Sequence, residues 1–180
     1  MKIIIPARKG SKGLPHKNRR LFDHTFRMIP PEIETIITTN DKEIMKKSSE
    51  YKLQVHKRSE ELSNDTASVR DVLLNVIEEC LIKPKEIIVM LYLTYPQRTW
   101  MDVQDGIKFL IQRKAKSLLC QKKVNAPIHL YMFPKGSNEG IQVFNHDIYR
   151  RQSCPTVFEI SHFVFIAYAG EVQNLNRNLY

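Results

Sequence analysis

The residues best suited to chemistry lie together near the start of the chain: Arg8, Lys9, Lys12, Lys17, Arg19 and Arg20, with Gly10, Gly13 and Pro15 among them. Cations at this density, on a backbone that glycine and proline allow to approach a ligand closely, can wrap a polyphosphate. The same residues could form a solvated basic turn. The preceding segment separates the two readings. Ile3, Ile4 and Ile5 have the β-branched composition of a strand buried on both faces, and it empties at Pro6 into the cationic loop. Neither G-x-G-x-x-G nor G-x-x-x-x-G-K followed by Ser or Thr occurs, so the loop is neither a dinucleotide fingerprint nor a Walker loop.

Other chemistries find little support. His16, His24, His56, His129, His146 and His162 show no paired metal-site spacing, and no Ser or Cys sits in a nucleophile motif. Cys80, Cys120 and Cys154 are odd in number and lack a C-x-x-C, which argues against a disulfide framework or a zinc site. The 180 residues, 42% hydrophobic and 26% charged, predict one globular domain, with an irregular excursion at about residues 125–150. A net charge of +9 favours anionic partners: nucleic acid, a membrane surface or phosphorylated metabolites. The apolar run at the start is too short for a signal peptide and no segment is long enough to span a bilayer, so a cytoplasmic protein without a membrane partner is expected.

The elements that must position the loop can be read in order. Residues 21–34 contain Pro30-Pro31 and no sustained apolar period, so only a short helix is expected, leaving part of one sheet face less covered. Residues 35–39 read as a strand, Asn40-Asp41 as a cap, residues 41–51 as a helix and residues 53–56 as a third strand, which together imply a parallel crossover. Val69, Val72, Leu73, Val76, Ile77 and Cys80 define one buried helix face, with Asp65 or Thr66 expected as its cap. Residues 87–91 suit a central parallel strand whose exit shares a crevice with the first loop. Thr99 and Asp102 suggest a capping box for a helix whose buried stripe is Val103, Ile107, Leu110 and Ile111. Residues 117–120 and 163–168 are further candidate strands, with a hairpin-like excursion between them.

Four blocks of this chain, in order, resemble the CMP-sialate synthetases (acylneuraminate cytidylyltransferases). The first is Ile5-Pro6-Ala7-Arg8, Gly10-Ser11-Lys12-Gly13, Pro15 and Lys17-Asn18, with Lys9 where the family usually has a small residue. The second is Arg58, Glu61, Leu62 and Asp65-Thr66-Ala67-Ser68. The third matches Q-P-T-S-P-L-R-T at Thr94, Pro96, Arg98 and Thr99, with Tyr92, Leu93 and Tyr95 replacing Gln, Pro and Ser. The fourth is Arg151-Gln152 and Pro155 before an apolar strand, with Ser161-His162 in place of Asn-Gly.

The resemblance implies a three-layer, Rossmann-like nucleotidyltransferase fold with a mostly parallel sheet. It further implies that CTP activates an acidic 2-keto sugar, giving the CMP-sugar and pyrophosphate. Such a transfer needs positioning and charge neutralisation more than covalent chemistry. Arg8, Ser11, Lys12 and Lys17 would hold the triphosphate, with Arg8 and Lys17 the catalytic cations. Asn18, Arg58, Ala67 and Ser68 would contact cytosine and ribose, and Tyr92, Thr94, Arg151 and Gln152 the sugar. The family's excursion carries a dimer contact, so a homodimer is implied. Its Mg²⁺-binding D-x-D pair has no counterpart in these 180 residues, so Mg²⁺ is expected to arrive with CTP and turnover to be slow unless Asp65, Asp71 or a partner subunit supplies ligands. Two alternatives stay open: a catalytically weakened nucleotide-binding relative, and a basic nucleic-acid-binding protein. The absence of any recognisable nucleic-acid-binding motif argues against the second.

Overall fold

A computed structural model of the protein describes residues 1–10, 14–125 and 128–180. Ser11 and Lys12, expected in the triphosphate loop, lie outside the described residues, as does the side chain of Arg151. The chain divides into two compact units, residues 1–120 with 162–180, and residues 121–161.

The first unit is built on β1 (Lys2–Pro6), β2 (Thr35–Thr39), β3 (Gln54–Lys57) and β4 (Ile87–Met90) with the parts of β5 (Ser117–Lys123) and β8 (Phe158–Tyr168) that fall within it, β8 being numbered after the hairpin strands of the second unit. Their order is β3-β2-β1-β4-β8-β5. β1 pairs in parallel with β2 and β4, β2 in parallel with β3, and β8 runs antiparallel to β4. The fold is therefore the expected α/β arrangement with a mostly parallel sheet. Because strand side chains alternate between faces, Ile3 and Ile5 enter one core and Ile4 the other, and all three are fully buried. Helices α1 (Lys17–Met28), α2 (Lys42–Glu50) and α5 (Trp100–Gln112) contribute Phe22, Phe26, Ile44, Val103 and Leu110 to the first core. Helix α4 (Val69–Glu79), which follows the single-turn α3 (Glu60–Ser63), contributes Leu73 and Val76 to the second. Helix, sheet and helix make three layers.

Three local expectations are corrected. α1 is a substantial helix of 12 residues rather than a short one. It starts earlier, on the polar run Lys17 to Arg20, and buries the narrow stripe Phe22, Thr25 and Phe26, spaced as one helix face. Pro30-Pro31 follow it instead of breaking it, and the sheet face is covered. The cap of α4 is Ser68, whose hydroxyl oxygen accepts from the Asp71 amide at 3.1 Å, not Asp65 or Thr66. Ile111 is 54% exposed, because the buried stripe of α5 is narrowed to Val103 and Leu110. The caps at Asp41 and at Thr99 with Asp102 are present as expected. Gly106 brings α5 close to β8: a Cβ there would lie 2.8 Å from Ile166 Cδ1, whose side chain would have to shift to admit it. Among the described residues no helix is long and apolar enough to cross a membrane.

The second unit contains an antiparallel hairpin, β6 (Met132–Lys135) and β7 (Glu139–Gln142), turned at Gly136 with φ of 69°. Met132, Phe133 and Ile141 on it are all more than half exposed. His146 Nε2 and the His129 carbonyl oxygen are 2.8 Å apart.

Candidate functional site

Parallel strands deliver their following loops to one edge of a sheet, and here the exits of β1, β3 and β4 meet the N-terminus of α4 around a cavity of about 550 Å³. Arg8 follows β1, Lys17 and Asn18 open α1, Arg58 follows β3, residues 64–68 precede α4, and Tyr92, Leu93 and Thr94 follow β4; all line it. The structure thus brings together eight of the expected residues: Arg8, Lys17, Asn18, Arg58, Ala67, Ser68, Tyr92 and Thr94. Gln152 sits exposed on the short 3₁₀ turn Arg151–Ser153 of the second unit, and Arg151 opens that turn.

The loop after β1 is held firmly at its root. The Ala7 amide donates to the Thr38 carbonyl at 3.0 Å, Thr39 Oγ1 donates to the Ala7 carbonyl at 2.6 Å, and Asn18 Nδ2 donates to the Arg8 carbonyl at 2.9 Å. Arg19 grips the carboxylate of Asp41 with two bonds of 2.8 Å. Burial raises that carboxyl, but the guanidinium and two backbone amides hold it below the usual carboxylate range. Gly10 and His16 both take φ in the left-handed region, at 79° and 55°, which bends the described ends of the loop.

Arg8 bridges two loops, donating from Nη1 to the Ser63 carbonyl at 3.1 Å and from Nη2 to Asp65 Oδ1 at 2.7 Å. Arg58 differs in kind. It is only 8% exposed, its Nε donates to the Leu62 carbonyl at 2.7 Å, and its two terminal nitrogens have no hydrogen-bond partner among the described residues. Burial, and then the nearby Arg8 charge, push its pKa down to about 10, so it remains a cation at neutral pH that the protein itself does not neutralise. Residues 64–67 are folded onto Asn64, whose side-chain oxygen accepts from the amides of Thr66 and Ala67 and the hydroxyl of Thr66 at 2.8–2.9 Å. Ser68 caps the helix through its hydroxyl oxygen, and its hydroxyl also hydrogen-bonds the Asp71 carboxylate, which holds that carboxyl below the usual carboxylate range.

Tyr92 and His162 also line the cavity, stacked with ring centroids 5.6 Å apart. Burial pushes the Tyr92 phenol up to about 12 and the His162 imidazole below its ordinary value, so both are uncharged at neutral pH. Two further lining residues, Arg177 and Asn178, come from the other end of the chain. Arg177 Nη2 donates to the Thr66 carbonyl at 3.1 Å, Arg70 Nη1 to the Leu175 carbonyl at 3.0 Å, and Leu179 is buried in the core beside α4. Sequence reasoning did not point to Asn64, Arg177 or Asn178. Asn64 carried a local signal, an Asx-turn residue just before D-T-A-S, whereas Arg177 carried none, because only tertiary contact brings it here.

The cytidylyltransferase family model matches residues 2–97, more than half of the chain and the part that supplies β1 to β4 and most of the cavity. An N-acylneuraminate cytidylyltransferase of Streptococcus agalactiae serotype V is 28% identical over 178 residues, covering 91% of this chain and 42% of that protein. Its serotype III counterpart is 26% identical over 176 residues with the same coverage. The chain therefore spans about two fifths of the length of these relatives. Among solved structures, a CMP:2-keto-3-deoxy-manno-octonic acid synthetase complexed with CTP aligns with a TM-score of 0.66 at 16% identity, covering 96% of this chain and 75% of that one. The bifunctional IspDF from Campylobacter jejuni aligns with a TM-score of 0.61 at 15% identity, covering 99% and 43%. These structures share the fold, and the match over residues 2–97 identifies the lineage: the chain belongs to the cytidylyltransferase family.

Proposed function

We propose that the chain transfers a cytidylyl group from CTP to a hydroxyl of an acidic 2-keto sugar of the sialic-acid type, releasing pyrophosphate. The observation that carries this reading is Arg58, a buried cation with a fixed Nε and two unpaired terminal nitrogens in the cavity wall. A charge held this way is costly until an acceptor reaches it, and a cytosine carbonyl or a phosphate oxygen would meet both donors at once. Asn18, Ala67 and Ser68 surround the same nucleoside end. Arg8 and Lys17, with Ser11 and Lys12 of the same loop, neutralise the triphosphate as pyrophosphate departs. Tyr92 and Thr94 face the sugar.

Among the described residues no group of three or more His, Cys, Asp or Glu side chains is placed to hold a metal ion. We take Mg²⁺ to enter as the counter-ion of CTP, and the proposed chemistry rests on the chain's own cations. Calorimetric titration with CTP, ATP, GTP and UTP tests the reading first: CTP should bind about tenfold or more tighter than the others, a difference of about 1.4 kcal/mol. Pyrophosphate release with N-acetylneuraminic acid and 2-keto-3-deoxy-manno-octonic acid, with and without Mg²⁺, tests the chemistry. Equal affinity for the four nucleotides would reduce the site to generic phosphate attraction, and CTP binding without release would make the chain a nucleotide-binding relative.

The same reading assigns the exposed apolar hairpin of the second unit to a homodimer contact. Phe133→Asp, which places a charge on its 60% exposed apolar face, should shift sedimentation from dimer to monomer. A wild-type chain that sediments as a monomer at all concentrations would remove that assignment.

A further inference from the structure

The cations of the cavity account for nucleotide binding, but none of them can take a proton from an attacking hydroxyl at neutral pH. Another residue lining the cavity can. His162 lies on β8, half-buried, five residues into the strand and at the first residue of the returning part of the first unit. Its ring stacks on Tyr92 at 5.6 Å and 27°, and neither imidazole nitrogen has a hydrogen-bond partner among the described residues. A half-buried imidazole that is oriented by a stack and left without a protein partner is the arrangement expected of a proton acceptor awaiting its donor.

We propose that His162, oriented by the ring of Tyr92, is the general base for the acceptor hydroxyl, an inference that rests on the nucleotidyl-transfer reading above. As the acceptor oxygen forms its bond to the α-phosphorus of CTP, its proton passes to an unprotonated imidazole nitrogen. The bond from that phosphorus to the bridging oxygen breaks, and its electron pair leaves with pyrophosphate. The imidazolium then returns the proton to water once the products have gone.

The surroundings favour this role. Tyr92 and Tyr95 come from the segment after β4, Tyr95 lying edge-on to Phe163, the next residue of β8. Arg8, Lys17, Arg58 and Arg177 line the same cavity, and the carboxylate of Asp65, which also lines it, is engaged by Arg8. Burial of the ring disfavours its charged form, so His162 is a free base at neutral pH and protonates only below its ordinary range.

The test is the pH dependence of pyrophosphate release by the full chain, with CTP and the two keto acids named above, in wild type, His162→Gln and Tyr92→Phe. Release by wild type should fall on the acid side as His162 protonates. His162→Gln should lower release about 100-fold and flatten that acid limb, while CTP affinity measured by calorimetry stays within about twofold of wild type. Tyr92→Phe keeps the stacking ring and should keep the limb. An unchanged limb in His162→Gln overturns the assignment. So does a wild type that binds CTP but releases pyrophosphate with neither acceptor, although the nucleotide reading then survives. A wild type that fails to bind CTP overturns the nucleotide reading itself, which makes the two failures distinguishable.

Discussion

Arg98→Ala should cost the protein about 2–4 kcal/mol of unfolding free energy, the larger of two substitution effects expected in the first unit. Arg98 is 3% exposed and joins the exit of β4 to β8, donating from Nη1 to the Phe163 carbonyl at 2.6 Å and from Nη2 to the Tyr92 carbonyl at 3.0 Å. Burial pushes its pKa down to about 10, yet it remains charged at neutral pH. Removing it strands two carbonyls, at about 1–3 kcal/mol for each that water cannot reach. Arg98→Lys should rescue little, because a single ammonium cannot reproduce the planar fork. Urea unfolding with an unchanged m-value is the measurement, and a loss below about 0.5 kcal/mol would show that water replaces the guanidinium. Since Tyr92 is one of the two residues held, the same variant should also weaken acceptor use.

Arg58→Ala has the opposite signature. CTP affinity should fall by about 100-fold, equivalent to about 2.7 kcal/mol, while stability changes by less than about 1 kcal/mol. The reason is the sign of the pKa displacement. A base whose folded pKa is depressed binds its proton less well in the folded chain, so the charged form costs folding free energy at all pH values below about 10. Alanine removes that cost together with the Nε bond to the Leu62 carbonyl, and the two changes offset. Between about 10 and the ordinary arginine value the unfolded chain holds more protons, so stability conferred by this site rises with pH there and is flat across neutrality. Calorimetry and urea unfolding on one preparation separate the two effects. A parallel loss of affinity and stability would mean that Arg58 is structural.

The features legible in the sequence were those fixed by nearest neighbours. The strand at residues 35–39, the Asp41 cap and the Thr99 capping box each depend on local side-chain chemistry, and each is present. The convergence of Arg8, Lys17, Arg58 and Ser68 was legible through the family resemblance of the blocks that carry them, and the shared crevice of the loops after β1 and β4 because parallel strands put their exits on one edge. The extent of α1 was not, since its first turn is wholly polar and the Pro30-Pro31 pair drew attention to the wrong end. Nor was the direction of β8, whose apolar run reads alike parallel or antiparallel. The placing of His162 opposite Tyr92 depends on that direction, so the proposed base was visible only in three dimensions.

The clasp of Arg177 on the Thr66 carbonyl joins positions 111 residues apart. Closure entropy grows with loop length only as about (3/2)RT ln n, but it must be met before the contact returns anything, so long-range closures tend to follow short ones in time. The neighbours β1, β2 and β3 close through short crossovers, and they already carry Arg8 and Arg58 to the sheet edge. The wall formed by residues 175–180 is therefore expected to dock onto α4 and residues 64–68 after those strands have paired, so that opening of this end of the chain should bare the cavity's cations without disrupting the sheet.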